Sequence, residues 1–454
     1  MATSMNSFSS LSLMRNLCNI TESLWNSSQR YQRFNSKKDL VRIQGQLRSG
    51  TYCFRPMYRY FIPKPGGRPR PITQPSASDL LLLKSLHRLL IDHWDSKFHS
   101  SSHGFRSNRG LLSFFSAMRS WRSLAMLQKS DVVSCFDKIP HDLLLSELRS
   151  YLGAENEEII NLISSFLRTP ILDKKGVNYA SSSLGIPQGS PISPVLMNIY
   201  LNSLDVRMGE LVSSGQLFYL RYADDILLGF PTGASISRLT LALDRTVKGL
   251  KLQLKSEKIW RQDKRRSSAM KVLGMICCIT PDGQISARAP FGKWEKKLSL
   301  SRIEKKMEEA NPPKTKTLAS FFPFLLSMAK VYLHFFFACS CAKGEREILS
   351  FFRSLLRRRG LEFLHRFNPS DRKDYKPLLA QYENELLALV SKTSAHMSSL
   401  RERNSSSEPI QEVNPAQREN QYKKSIPRKE KRASFLATFS VKRARVAGKG
   451  EKAN

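Results

Sequence analysis

The sequence predicts an α+β fold, because strand-like and helix-like segments follow one another through its central part. Residues 57–64 are rich in aromatic side chains and run into Pro-Gly-Gly, which is typical of a strand that ends in a turn. Residues 78–94 repeat leucine at helical spacing behind Ser78, a predicted N-cap. Residues 215–230 contain two apolar runs separated by a short acidic segment, which predicts two strands joined by a tight turn.

Further elements follow from the same kinds of pattern. Residues 123–133 predict a strand, and residues 191–212 predict a helix that opens at Pro191. Residues 293–310 predict one amphipathic helix. Residues 318–342 are strongly apolar, but they contain Pro, Lys and His, and a charge at mid-span is costly in lipid. The segment is either a membrane span or a buried helix or helix pair, and we expect the buried form and no membrane.

The composition excludes several classes of protein. The chain of 454 residues has 73 Lys and Arg against 38 Asp and Glu, and its formal net charge is +35. That charge is too large for an ordinary metabolic enzyme and indicates a polyanionic partner such as nucleic acid. Hydrophobic residues make up 41% of the chain, enough to bury a core. The seven cysteines form no Cys-x-x-Cys pair, which argues against a disulfide framework and a structural zinc site.

The two ends differ in composition from the centre. Residues 1–38 hold nine Ser, five basic residues and one acid, which resembles a mitochondrial or plastid transit peptide. The alternative is a flexible or RNA-contacting N-terminus of a protein made inside the organelle. From about residue 398 the sequence becomes polar, and residues 421–454 carry eleven Lys and Arg against two Glu. We expect a disordered basic tail that holds RNA electrostatically.

Three acids stand where strands should be apolar. Asp224 and Asp225 interrupt the apolar runs of 215–230, and Asp131 ends the strand predicted at 123–133. Burying a carboxylate without a partner is costly, so a cation is expected beside these acids. Carboxylate oxygens suit Mg²⁺, and two-metal phosphoryl transfer needs carboxylates from separate elements. An ordinary polar hairpin turn is the alternative interpretation of the adjacent pair.

A set of motifs occurs in a fixed order along the chain. They are PKPGGRPRPI (63–72), SSHGFRSNRG (101–110), SDVVSCFDKIPHDLLL (130–145), LGIPQGSPISPVLMNIYL (184–201), FYLRYADDILLG (218–229), LKLQLKSEKI (250–259) and KVLGM (271–275). Through these motifs the chain resembles a group II intron-encoded reverse transcriptase and maturase of the organellar type. The resemblance is colinear from about residue 40 to 280 and weaker to about 370.

The resemblance implies a right-hand polymerase fold of fingers, palm and thumb, followed by a helical, maturase-like X domain and a disordered basic tail. The implied boundaries are 1–38 for the N-terminal segment, 39–285 for fingers and palm, 286–315 for the start of the thumb, 316–397 for the thumb and X-like helices, and 398–454 for the tail. No zinc-binding or H-N-H-like endonuclease pattern follows the helices, so second-strand DNA cleavage is not expected.

The resemblance also implies a catalytic centre. Asp131, Asp224 and Asp225 match the family's metal-binding triad, which holds two Mg²⁺ ions. Lys258 matches a proton donor to the pyrophosphate, and Lys255 is close enough in sequence to be the alternative.

Residues that bind the incoming nucleotide are implied in the same way. Lys64 and Arg70 match residues that grip the triphosphate, since ammonium and guanidinium groups both bind phosphate. Phe136 matches the residue that packs under the sugar and disfavours a 2′-hydroxyl. Gln188 and Gly189 match a loop at the nucleotide. Solvated hairpin charges and a core phenylalanine are the alternative interpretations of the first three.

Contacts with nucleic acid are implied for a further group, which consists of Arg106, Gly185, Arg353, Arg357 and Arg358. Arg106 is expected on the template backbone and Gly185 in the loop at the template. The arginines of 353–358 are expected to face intron RNA, and a solvated helix face is the alternative.

The resemblance thus implies an RNA-directed DNA polymerase that uses Mg²⁺, dNTPs, an RNA template and a DNA primer. It also implies binding of the host group II intron RNA to assist splicing, in a mitochondrion or alternatively a plastid, and intron mobility is a further role. Two alternatives stay open: a splicing-only maturase without polymerase activity, and a reverse transcriptase of a retrotransposon or retron.

Overall fold

The computed structural model describes residues 10–64, 67–179, 183–255, 260–263, 269–310, 317–339, 344–367 and 372–405. One compact unit ends at Ser398. The basic tail predicted from 398 lies outside the described residues from 406 onward.

Helices account for most of the described residues. They are α1 (Ser10–Asn26), α2 (Gln29–Phe34), α3 (Lys37–Arg48), α4 (Ala77–Trp94), α5 (Leu111–Arg119), α6 (Cys135–Lys138), α7 (His141–Leu152), α8 (Glu157–Leu167), α9 (Ser193–Ser213), α10 (Ile236–Gly249), α11 (Phe291–Lys297), α12 (Leu300–Glu308), α13 (Leu318–Cys339), α14 (Glu345–Phe367) and α15 (Arg372–Ser405).

The strands form three small sheets. They are β1 (Met57–Lys64), β2 (Gly67–Gln74), β3 (Leu124–Asp131), β4 (Ile171–Leu172), β5 (Phe218–Tyr222), β6 (Asp225–Pro231), β7 (Trp260–Asp263), β8 (Met270–Val272), β9 (Met275–Ile279) and β10 (Ile285–Arg288). Their orders are β2-β1-β4, β5-β6-β3-β7 and β10-β9-β8. The strands predicted at 57–64, 123–133 and 215–230 are therefore confirmed, and the overall class is a mixed helix and strand fold.

The sheet β5-β6-β3-β7 is antiparallel throughout and supports the acids of interest. Its central strand β6 is buried from Ile226 to Phe230, because both of its faces are covered. Helix α9 packs against β5 and is itself buried on most sides, for example at Leu196, Ile199 and Tyr200. This helix begins at Ser193 rather than at Pro191, and Pro194 lies in its first turn.

Helix α4 begins one residue earlier than predicted and is capped by a different serine. The hydroxyl of Ser76 accepts a hydrogen bond from the backbone N–H of Asp79 at 3.1 Å. Ser76 is therefore the N-cap residue, and Ser78 lies within the helix.

Residues 10–26 form a packed helix, which differs from the flexible segment that is one of the two interpretations of residues 1–38. Leu13, Leu17 and Thr21 recur at helical spacing and are buried. They lie on the side of α1 that packs against α3 and α4. The serine-rich composition concealed this apolar face.

The amphipathic segment 293–310 forms two helices, α11 and α12, instead of one. The chain is extended at Ser299, with φ −66° and ψ 149°, between them. The break allows Trp294 on α11 and both Ile303 and Met307 on α12 to be buried.

Helix α13 is the one described helix that is long and apolar enough to cross a membrane, with a mean hydropathy of 1.5 over its most apolar window. Half of that window is buried within the protein. Phe321 stacks on Phe363 of α14 at 4.4 Å, and Phe322 stacks on Tyr382 of α15 at 5.3 Å. These contacts favour a core helix over a membrane span, as the interrupting polar residues indicated.

Replacing Leu17 by Ala tests whether α1 belongs to the folded core. Leu17 is fully buried, so the truncation is expected to lower the free energy of unfolding by about 3 kcal/mol. Asn19→Ala, at an exposed position of the same helix, is the matched control and is expected to leave stability unchanged. Chemical denaturation measures both. If Leu17→Ala were as stable as Asn19→Ala, α1 would not belong to the folded core, and a flexible N-terminus would be the better interpretation.

Candidate active site

The turn between β5 and β6 carries the adjacent acids. Tyr222 pairs with Asp225 across the hairpin, so Ala223 and Asp224 form a two-residue turn. Ala223 has φ +57°, a left-handed conformation that is uncommon for a residue other than glycine. The turn thus places Asp224 at the tip of the hairpin and Asp225 at the first position of β6.

Asp131 reaches the same place from the neighbouring strand. It is the last residue of β3 and lies directly opposite Asp225 in the β3–β6 register. The N–H of Val132, the next residue, donates to the carbonyl oxygen of Asp224 at 3.2 Å. The structure therefore places the backbones of the three acids at neighbouring positions, with Asp131 opposite Asp225 and Asp224 next to it in the turn.

Lys129 supplies a positive charge between two of these carboxylates. Its Nζ lies 2.7 Å from Oδ1 of Asp225 and 3.4 Å from Oδ1 of Asp131. Burial, with Asp131 close by, raises the pKa of Asp225 to about 6 even though Lys129 opposes the shift. The described residues contain no group of three or more His, Cys, Asp or Glu side chains close enough to hold a metal ion.

Sequence reasoning missed Lys129. Residues two apart on a strand point to the same face, so a lysine two positions before Asp131 was a signal available in the sequence.

A buried network lies behind the hairpin. Arg221 on β5 donates from Nε and Nη2 to the carboxylate of Asp205 on α9, at 2.8 and 2.5 Å. Tyr219 also donates its hydroxyl proton to Asp205, at 2.7 Å. Burial works against the charged form of Arg221, but the charge and hydrogen bonds of Asp205 raise the pKa of the guanidinium overall. The guanidinium of Arg221 therefore stays charged inside the protein.

The loop of Gly185, Gln188 and Gly189 runs between Phe136 and strand β2. The N–H of Ile186 donates to the carbonyl oxygen of Phe136 at 2.6 Å. Phe136 is partly buried against the main core. Nε2 of Gln188 lies 3.3 Å from both carboxylate oxygens of Asp137.

Gly189 has φ +112°, and a Cβ there would lie 2.6 Å from the carbonyl oxygen of Thr73 on β2. Only glycine allows this approach, which ties the loop to the hairpin β1–β2. Gly185, with φ +92°, accepts a hydrogen bond from Nε2 of His141 at 2.7 Å.

The structure describes Arg70, Lys64 and Lys258, three predicted phosphate-binding or catalytic residues, to different extents. Arg70 is exposed on β2, where it pairs with Ile62 of β1. Lys64 ends β1, and its side chain lies outside the described residues. Lys258 also lies outside them, whereas the N–H of Lys255 donates to the carbonyl oxygen of Asp131 at 2.9 Å. The alternative lysine is therefore the one seen beside the acids.

Arg106 does not have the environment expected of a template contact. Its side chain is 4% exposed, and Nε donates to Oδ1 of Asp95 at 3.0 Å. Nη1 donates to the carbonyl oxygens of His99 and Ser102. The guanidinium is thus occupied within the protein, and Arg106 braces the segment between α4 and α5. Sequence could not reveal this, because a basic residue in a motif does not show its partner.

The arginines of α14 also have internal partners. Arg357 pairs with Glu383 of α15 and Arg358 with Glu295 of α11, both at 2.6 Å. Arg353 is half-buried on the same helix. The first two hold helices together and remain partly exposed, and contact of these arginines with RNA stays a prediction.

Three lysines lie close together, and we call them the lysine cluster. They are Lys271 on β8 and Lys293 and Lys297 on α11. Close contact with Lys293, together with burial and the charges of Lys297 and Lys129, lowers the pKa of Lys271 to about 8. Glu295 of α11 and Glu304 of α12 pair instead with arginines of α14. Like charges held together in this way favour binding of an anion.

The part of the chain that carries these acids is similar to a known protein family. Residues 62–277 match the family described as reverse transcriptase (RNA-dependent DNA polymerase). The matched residues include strand β3 and the hairpin β5–β6, and thus all three acids.

The chain is also similar to intron-encoded proteins. It is 34% identical over 167 residues to the COX1/OXI3 intron 1 protein of Saccharomyces cerevisiae, covering 37% of this chain and 20% of that one. It is 30% identical over 172 residues to the group II intron-encoded protein LtrA of Lactococcus lactis subsp. cremoris, covering 37% and 28%. The match thus spans less than a third of either relative's length.

Among solved structures, the apo telomerase of Candida tropicalis has a TM-score of 0.43 and 13% identity, covering 76% of this chain and 64% of that chain.

Replacing Asp225 by Asn tests the electrostatic cost of the site. Its folded pKa of about 6 lies above the value of 3.8 for a free aspartate, so ionisation destabilises the native state. Stability contributed by this group is therefore lost as the pH rises from about 4 to about 6. At pH 8 in EDTA, Asp225→Asn is expected to gain on the order of 1 kcal/mol, a rise in Tm of a few degrees.

The gain should vanish below pH 4, where the aspartate is neutral. Asp142→Asn, at a surface aspartate 3.6 Å from Lys251, is the matched control and should change Tm little at either pH. A destabilised Asp225→Asn protein at pH 8 would contradict the shifted pKa.

Proposed function

We propose that the chain is an RNA-directed DNA polymerase, which extends a DNA primer with dNTPs on an RNA template. The observation that carries the proposal is the placement of Asp131 opposite Asp225, with Asp224 at the tip of the same hairpin. The match of residues 62–277 to the reverse transcriptase family supports it.

Asp131, Asp224 and Asp225 would hold two Mg²⁺ ions. Their suitability rests on their hard oxygen donors and on the fact that a cation, Lys129, already lies between two of them. When bound, Mg²⁺ lowers the pKa of a primer 3′-hydroxyl and neutralises charge on the triphosphate. The carboxylates orient the site, and burial of Asp225 strengthens its attraction for a cation.

The incoming nucleotide would lie between the carboxylates and the hairpin β1–β2. Phe136 would pack under its sugar, and the backbone of Gly189 would approach it closely. Gln188 would position the base or template, and Lys64 and Arg70 would bind the triphosphate. Lys258 or Lys255 would protonate the leaving pyrophosphate, and the contact of Lys255 with the backbone of Asp131 favours the latter.

The lysine cluster would bind phosphates of the template–primer duplex. It lies on the hairpin β8–β9 and on α11. The charge of Lys129, which contacts Asp131 and Asp225, also acts on Lys271. Gly185 would contact the template from the opposite loop.

The relatives support a role with intron RNA. We infer that the protein binds a group II intron RNA and assists its splicing, and that it acts in a mitochondrion, as the likeness to the COX1 intron protein suggests. Fingers and palm over 39–285, a thumb start at 286–315 and X-like helices over 316–397 remain the proposed domains. Arg353, Arg357 and Arg358 would present phosphate contacts from α14.

Primer extension on an RNA template tests the polymerase reaction. Asp224→Asn removes a carboxylate that would stabilise transition-state charge, so cDNA synthesis is expected to fall about 1,000-fold. Asp244→Asn, which breaks a surface pair with Lys248, is the control and should keep full activity. Binding of intron RNA should be unchanged in both. A wild-type protein that binds intron RNA but makes no cDNA would support the splicing-only alternative.

The lysine cluster is tested by the salt dependence of template–primer binding. Lys271→Gln and Lys293→Gln are each expected to reduce the slope of log K against log salt by about 1, since each removes one phosphate contact. Lys248→Gln, at an exposed lysine of α10 paired with Asp244, should leave the slope unchanged. Unchanged slopes in the first two variants would place the duplex elsewhere.

A further inference from the structure

The guanidinium of Arg221 is fully buried, and each of its N–H groups has a partner. Nε donates to Asp205, and Nη2 donates to Asp205 and to the hydroxyl of Ser102 at 2.9 Å. Nη1 donates to Oδ1 of Asn198 and to the carbonyl oxygen of Ala223, both at 2.9 Å. The guanidinium of Arg221 therefore joins helix α9, the segment before α5 and the hairpin turn.

Stability alone does not explain this pair. Desolvating two charges is so costly that well-packed apolar residues are often as stabilising as a buried ion pair. A guanidinium offers instead a rigid set of donors with fixed directions. Here one of those donors, Nη1, donates to the carbonyl oxygen of Ala223, the residue that immediately precedes Asp224.

Ala223 is held from its other side as well. A Cβ on Gly104 would lie 2.6 Å from the nitrogen of Ala223, so the two backbones are in close contact. Nδ2 of Asn198 donates to the carbonyl oxygen of Gly104 at 2.8 Å. Arg221, Asn198 and Gly104 thus enclose a residue whose φ of +57° is unfavourable for alanine.

We propose that Arg221 is a positioning residue, which fixes the metal-binding geometry of Asp224 and Asp225 by holding the carbonyl of Ala223. Asp205 orients the guanidinium, and Tyr219 bonds to Asp205. Asn198 accepts from the guanidinium and donates to the carbonyl oxygen of Gly104. The inference rests on the proposed function, because it assigns to these acids the binding of a divalent cation.

Lysine at this position would separate the two roles of Arg221. An ammonium group can still pair with Asp205, but it lacks the planar fork that also reaches Ala223 and Ser102. Arg221→Lys should therefore retain the ion pair and lose control of the turn. Ser102→Ala is the matched control, since it removes one bond of the same guanidinium and leaves the bond to Ala223 intact.

The test measures Mn²⁺ binding to the protein alone by EPR, with thermal melting of each variant alongside. Arg221→Lys is expected to bind Mn²⁺ about tenfold more weakly, the usual effect of losing support behind a metal ligand. Ser102→Ala should bind Mn²⁺ as the wild type does, although it melts at a lower temperature. Asp224→Asn identifies the Mn²⁺ signal that belongs to this site.

Asn198→Ala is a second variant that leaves the Arg221–Asp205 pair in place. It should weaken Mn²⁺ binding less than Arg221→Lys, because the bond from Arg221 to Ala223 survives. Equal Mn²⁺ affinity in the wild type and a folded Arg221→Lys would overturn the proposal. So would equal losses in Arg221→Lys and Ser102→Ala, failure of both Arg221→Lys and Asn198→Ala to fold, or no Asp224-dependent Mn²⁺ binding in the wild type.

The polymerase proposal can fail separately. A wild-type protein that makes no cDNA, yet binds Mn²⁺ in a manner that depends on Arg221, would contradict the polymerase reaction and retain the positioning role.

Discussion

The pairing of β3 with β6 is the constraint on which the site depends, because it sets Asp131 opposite Asp225. Two carboxylates on facing positions repel each other, and directly opposed like charges destabilise a strand pair. The register survives because both strands bury apolar side chains on the same sheet, including Leu127 and Leu228. A one-residue slip would move the buried apolar side chains of β3, such as Leu127, out of their places in the core. The hydrophobic register thus forces the acids together, and Lys129 offsets the repulsion.

A hairpin that presents charge at its tip also needs rigid support, since its turn residues bury little apolar surface. The structure supplies that support with polar contacts directed at the backbone. Arg221 reaches the carbonyl of Ala223, and the N–H of Val132 reaches that of Asp224. Burying the ion pair of Arg221 with Asp205 costs desolvation free energy. The guanidinium also joins three segments of the chain, and this role accounts for the buried pair better than its contribution to stability does.

Sequence predicted the strands and acids well, because alternation and misplaced charge are local signals. The hairpin at 215–230 and the strand ending in Asp131 needed no information from elsewhere in the chain. Long-range partners were beyond reach: Arg106 belongs to Asp95, and Arg358 belongs to Glu295, 63 residues away. The break at Ser299 and the packing of α1 likewise depend on surfaces supplied by other elements.

The net charge of +35 therefore has two components with different physical roles. Arginines such as Arg106 and Arg221 are buried, matched to acids and hold elements together, so they contribute little attraction for a polyanion. Lys271, Lys293 and Lys297 instead repel one another, which lowers the pKa of Lys271 and makes that cluster costly to assemble. An anion that bound there would relieve the repulsion. A basic protein built around acids thus separates structural guanidinium groups from ammonium groups that are suited to bind phosphate.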